Sequence, residues 1–234
     1  AESGIKHNAG TTTVTGSKLA HSPVGIFIIA PFVSVTNSVF DTVRAALSIP
    51  GGDYSSDIFT ASGNTYVGSQ PPIISISGMN VVGGVTLENS FPYVISGTIT
   101  VNQGATLTIN PGAIIKGSYA QALFMINGTL NVAGTIESPV IFTAANDDTA
   151  GGDTDGDGGV PSPGHWKGIR VEPTGTARFN HAAVRYGGGP DYAYTEFANL
   201  VNWGGTLEFT NSETSFAAES GIKHNAGTTT VTGS

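Results

Sequence analysis

The residues best placed to do chemistry are the three aspartates of DTDGDGG, Asp153 to Gly159. Asp153, Asp155 and Asp157 alternate with small residues, so a tight loop there turns three carboxylates onto one hard cation. Calcium, which prefers six to eight oxygen ligands, is the cation that suits them. Asp147 and Asp148 add ligands if the loop folds back. Five unpaired acids at close quarters repel one another, so the first effect of bound Ca2+ would be to order the loop. The competing reading is a solvated acidic loop that holds nothing tightly.

The spacing matches the opening of a helix-loop-helix calcium site, but the position where such a loop needs a bidentate Glu is Gly164. An acidic excursion from a β-structure is therefore expected instead. The Asp147-Asp148 pair also suggests glycoside hydrolysis, which needs two carboxyls flanking one bond. Neighbours on a strand point to opposite faces, so the pair is badly posed for it. A calcium-dependent polysaccharide lyase would need acids plus a cationic base; Lys167, Arg170, Arg178 and Arg185 are available, though outward-facing strand positions account for them equally well. His7, His21, His165 and His181 show no metal-helix spacing and read as turn or surface residues. Trp166, Trp203, Tyr186, Tyr192 and Tyr194 offer either a stacking platform for sugar rings or ordinary packing. Thr pairs at Thr13/Thr15, Thr98/Thr100 and Thr106/Thr108 raise an ice-binding alternative, but Thr is also a plain strand former.

Composition narrows the partners. Charged residues make up 11% of the 234, glycine reaches 33, and the net charge is -8. That acidity disfavours nucleic acid and anionic membranes and suits cations. With no cysteine, disulfides and thiolate metal sites are excluded. The longest apolar run, Val24 to Val35, is broken by Pro31 and Ser34 and is too short to be inserted across a bilayer.

The elements that must position these residues read as short strands of period two, punctuated by Gly, Pro, Asn and Ser. GTITVNQGATLTINPGAIIKG, Gly97 to Gly117, is the clearest case. Residues Ala1 to Ser17 return letter for letter as Ala218 to Ser234, which defines a unit of 217 positions. On this reading residues 1–49 are the C-terminal coils of one unit, 50–72 a Gly, Ser and Pro-rich linker, and 73–234 the N-terminal and middle coils of the next. Asn180, Asn211, Gly233 with its twin Gly16, and Asn37 recur in a common frame, the last two 21 residues apart. Three short strands in a coil of about 21 residues predict an all-β parallel β-helix with a protruding acidic loop.

At GTITVNQGATLTINPGAIIKG, GTLNVAGT, SPVIFTAANDD, GHWKGIRV and ARFNHAAVRYGG the chain resembles the right-handed parallel β-helix repeats of secreted and cell-surface bacterial proteins, the pectate-lyase-like architecture. The resemblance implies the handedness and an extracellular setting. It leaves function open, since this architecture carries lyases, hydrolases, adhesins and structural spacers. The expectation is a calcium-stabilised structural or adhesive tandem-repeat module that pairs with itself head to tail through open coil ends. A polysaccharide-binding or polysaccharide-cleaving β-helix and an ice-binding solenoid are the alternatives.

Overall fold

The computed structural model describes residues 3–190 and 197–234, and all regular structure among them is β-strand. The chain winds as nine stacked coils. The first holds β1 (Ser3–His7), β2 (Thr12–Thr15) and β3 (Lys18–Ala20); the second holds β4 (Val24–Ile28), β5 (Val33–Thr36) and β6 (Val39–Asp41). The third has four strands: β7 (Ala45–Ile49), β8 (Asp53–Tyr54), β9 (Phe59–Ser62) and β10 (Thr65–Val67). Then follow β11 (Ile73–Ile76), β12 (Met79–Val81) and β13 (Gly84–Leu87), and after them β14 (Tyr93–Ile95), β15 (Thr98–Val101) and β16 (Thr106–Ile109). The sixth coil is β17 (Ile114–Gly117), β18 (Leu123–Ile126) and β19 (Thr129–Ala133). The seventh is β20 (Val140–Ala144), β21 (Gly168–Val171) and β22 (Thr176–Asn180). Last come β23 (Ala182–Arg185) with β24 (Ala198–Thr210), then β25 (Glu213–Ser215) with β26 (Ser220–Thr232).

The leading strand of every coil joins one nine-stranded parallel sheet, ordered β1-β4-β7-β11-β14-β17-β20-β23-β25. From β12 onward the other two faces, together with β8, form an eleven-stranded sheet, fused because β24 is long enough to pair with both β21 and β22. In the first three coils those faces are separate three-stranded sheets, β2-β5-β9 and β3-β6-β10. Period-two alternation drives the winding: β15 buries Ile99 and Val101 and leaves Thr98 and Thr100 half-exposed. Ile26, Leu47, Ile74, Tyr93, Ile115, Phe142 and Val184 stack as one buried column behind the long sheet. Each such side chain contributes roughly 1.5–3 kcal/mol by leaving water. Phe124, Phe142, Phe179 and Phe209 run through the interior with ring centroids 5.6, 6.1 and 5.6 Å apart.

The structure corrects three expectations. Residues 50–72 are not a linker: β8 pairs with β12, β9 with β5 and β10 with β6, and Tyr54, Ile58 and Phe59 are buried. Their turn-rich composition reflects an extra corner where the faces are rearranged. The left-handed corner in the second half belongs to His181 and not Asn180, because Asn180 pairs with Thr210, one residue before Asn211. The corner stacks are therefore His181, Asn211 and Gly233 near one end, and Gly16, Asn37 and Gly63 near the other. Finally, residues 1–49 open the same stack that β25 and β26 close, and β7 pairs directly with β11. The two copies of the repeated segment so lie at opposite ends of one rod, roughly 40 Å apart at about 4.8 Å per coil.

Candidate metal centre

The acidic loop leaves the long sheet after β20 and rejoins the coil at β21 on the eleven-stranded sheet, folding back over the outward faces of earlier coils. Gly151 sits against Pro92, and Gly152 against Pro71; a Cβ at Gly151 would lie 2.7 Å from the Pro92 ring. Both glycines also have positive φ, so the close approach and the turn each require the missing side chain. Gln70 Nε2 donates to Asp153 Oδ2 at 3.0 Å and fastens the tip.

Beneath the loop lies Lys116, outward-facing on β17 yet fully buried. Its ammonium donates to Gly152 O at 2.7 Å, Thr154 Oγ1 at 3.0 Å and Ala145 O at 3.4 Å. Burial pulls the Lys116 pKa down, while Asp148, Asp147, Asp155 and Asp153 work against that shift. Nothing in the sequence singled out Lys116. A lysine at an outward strand position is ordinarily solvated, and only the returning loop removes the water.

The five aspartates divide. Asp148, Asp153 and Asp155 each bring a carboxylate oxygen within 4.8 Å of the others. Asp148 Oδ1 is shielded from water and has no hydrogen-bond partner. Burial first, then the neighbouring Asp153 charge, raises the Asp148 pKa, with Lys116 opposing. Burial likewise raises Asp155, whereas the Gly156 amide holds Asp153 down. Acceptor-only oxygens that converge with one of them unpartnered match the donor set of a hard cation.

Asp147 and Asp157 go elsewhere. Asp157 Oδ1 accepts the Gly159 amide at 2.6 Å, closing a local turn. Asp147 is completely buried and accepts from Thr143 Oγ1, Thr149 Oγ1 and Arg185 Nη2, the last at 2.7 Å. Burial pushes its carboxyl up, but the two threonines and the guanidinium outweigh that and hold it below the ordinary carboxylate range. Asp147 is thus the loop's root, tied to the coil above.

Two of the cations named as candidate lyase bases, Arg170 and Arg178, pair with glutamates and not with the loop's acids. Arg170 pairs with Glu172 at 2.6 Å and Arg178 with Glu208 at 3.2 Å, both on the eleven-stranded sheet and away from the loop's face. Arg185 reaches the loop, through Asp147 and Thr149. Trp166 is 1% exposed, with its indole N–H on Arg185 O, so it packs and cannot stack a sugar. Tyr186 stacks on Phe216 at 5.0 Å, and Phe216 is exposed; Tyr192 and Tyr194 lie outside the described residues. The threonine pairs fall on three different sheet faces: β2 belongs to a three-stranded sheet, and β15 and β16 to separate halves of the fused one. Among the described residues no helix is long and apolar enough to cross a membrane.

No curated protein and no solved structure matches the chain. A family profile does: the one described as pectate-lyase like beta helix domain matches residues 79–215, which span β12 to β25 and include the acidic loop. With more than half its length matched and nine parallel coils in one stack, the chain belongs to the pectate-lyase-like β-helix domains.

Proposed function

We propose that this β-helix is a structural or adhesive repeat module of a long extracellular surface protein, calcium-stabilised at its acidic loop and assembled head to tail. The observation that carries the reading is the single stack of coils, whose first and last coils hold copies of the same seventeen-residue segment. Backbone hydrogen bonds in that stack run along the stacking axis, which makes a stiff spacer, and an unpaired coil end invites a further coil. Asp148, Asp153 and Asp155 would hold the calcium ion, whose chemistry here is charge neutralisation and loop ordering. Lys116 and the Asp147–Arg185 pair set the loop's base in place.

The fold is equally at home in polysaccharide lyases and hydrolases. Against that reading here stand Arg170 and Arg178, which are committed to ion pairs on another face. The deciding experiment incubates the protein with acidic polysaccharides, with calcium and with chelator, and follows unsaturated products and new reducing ends. No turnover, with scattering that reports an elongated particle lengthening with concentration, is the expected result; catalytic turnover overturns the structural reading.

A further inference from the structure

The repeated segment is seen twice, and each copy has a different edge paired. At the first end β1 and β2 pair with β4 and β5, Ile5 opposite Ile26 and Thr13 opposite Ser34. At the other end the same residues, as β26, pair with β24, Ile222 opposite Leu200 and Thr230 opposite Glu208. Among the described residues β1 has no strand on its other side, and neither has β26. The segment keeps one conformation in both places. Gly10 and Gly227 have φ of 78° and 82°, and His7 Nδ1 and His224 Nδ1 meet Thr12 and Thr229 at 2.8 and 2.9 Å.

Three further features break off at β26 and resume at β1. Ala182 N donates to Ser212 Oγ and Ser212 N to Ser234 Oγ; at the first end Ser17, the twin of Ser234, donates its N–H to Ser38 Oγ, and Ser38 N to Asn64 Oδ1. Asn211 Oδ1 lies under Gly233, filling the space a Cβ would take, whereas Gly16 has nothing there. His7 is 2% exposed with Nε2 on Pro31 O, while His224 is open to solvent. The apolar lumen is uncovered as well: a mouth of about 760 Å³ at the β26 end exposes Val231 to 53%, although its twin Val14 is 8% exposed under the next coil.

We propose that a single copy of this segment bridges two molecules of the chain, held on one edge by β24 of the first and on the other by β4 and β5 of the second, with the second molecule's own copy displaced. This rests on the head-to-tail reading and specifies its junction. Every pairing in the bridge already occurs within one molecule. Joined this way, the serine ladder runs Ala182, Ser212, Ser234, Ser38, Asn64, and the corner stack runs His181, Asn211, Gly233, Asn37, Gly63. The bridge also fixes orientation. The segment occupies the long sheet's face at one end and the fused sheet's face at the other, so each molecule turns by one side of the coil and successive acidic loops spiral around the rod.

The chain lacks cysteine, so an S34C/T230C variant reads the junction directly. Positions 34 and 230 come into register only when β26 of one molecule replaces β2 of another. Under mild oxidation, disulfide-linked ladders between molecules are expected, reduced several-fold by excess peptide of the Ala1–Ser17 sequence and missing from S34C alone. The unmodified 234-residue protein supplies a second measure, since a fluorescent version of that peptide should exchange onto it with a rise in anisotropy. Assembly seen by light scattering without the 34–230 link and without peptide uptake overturns the bridge but leaves head-to-tail stacking standing. A strictly monomeric protein at high concentration overturns both.

Discussion

The interior of the rod and the acidic lobe on its flank are held by opposite means. In the lumen, Phe124, Phe142, Phe179 and Phe209 pack ring against ring and are almost wholly buried. In the lobe, order comes from a buried ammonium, one tightly held carboxylate and glycines pressed on prolines. Apolar burial responds little to pH and ions, whereas charge-held structure responds to both. The rod is thereby constant and the lobe adjustable, and the two meet at β17, β20 and β23.

The contrast can be broken from either side. Phe142→Ala removes the centre of the aromatic row and should cost about 3–5 kcal/mol, lowering the denaturant midpoint of the whole molecule with calcium present or not. Lys116→Met keeps the bulk but strips the donors from Gly152 O and Thr154 Oγ1; a loss of about 3 kcal/mol is expected, and proteolysis should shift to the loop before the coils give way. Asp147→Asn weakens the link to Arg185 by about 1–3 kcal/mol. Because the native Asp147 pKa is depressed, the stability it provides is complete above the ordinary carboxylate pKa and is lost as pH falls through the lower native value. Acid titration of wild type and variant by circular dichroism should converge at low pH.

Asp148 gives the smallest effect and the reverse sign. Its native pKa is raised, so its ionisation opposes folding, and that penalty grows as pH rises from the ordinary value through the raised one. Without calcium, Asp148→Asn should raise the melting temperature by about 1–2 °C near neutral pH. With calcium, the wild type should gain and the variant should not, an interaction that differential scanning calorimetry resolves.

Regular coils were legible in the sequence because each strand carries its own period-two signature and each corner its own Gly, Asn or Ser. Thr98 to Val101 needs no distant partner to declare which side faces inward. The third coil was misread since β8 and β10 are two and three residues long, shorter than any window that reveals alternation. Asn180 for His181 is a slip of one position, caused by judging the corner from residue type when the register is set by pairing with Thr210. The acid-rich loop announced itself, but the division of its five aspartates did not. Whether a carboxylate meets Arg185, a backbone amide or two other carboxylates depends on how the loop lies across strands 30 residues away, and Lys116 is silent for the same reason.

One consequence of the nine-stranded sheet concerns force. Tension applied between the rod's two tips loads the inter-coil hydrogen bonds in series, so coils peel singly from an end instead of shearing together. An ordinary coil with the 21-residue spacing of Thr15 and Thr36 would pay out roughly 70 Å of contour at about 3.3 Å per residue. The coil from Val140 to its partner Ala182 would release about double that in a single event. A tethered rod of this design yields in small steps and keeps one long extension in reserve behind its charge-held clasp.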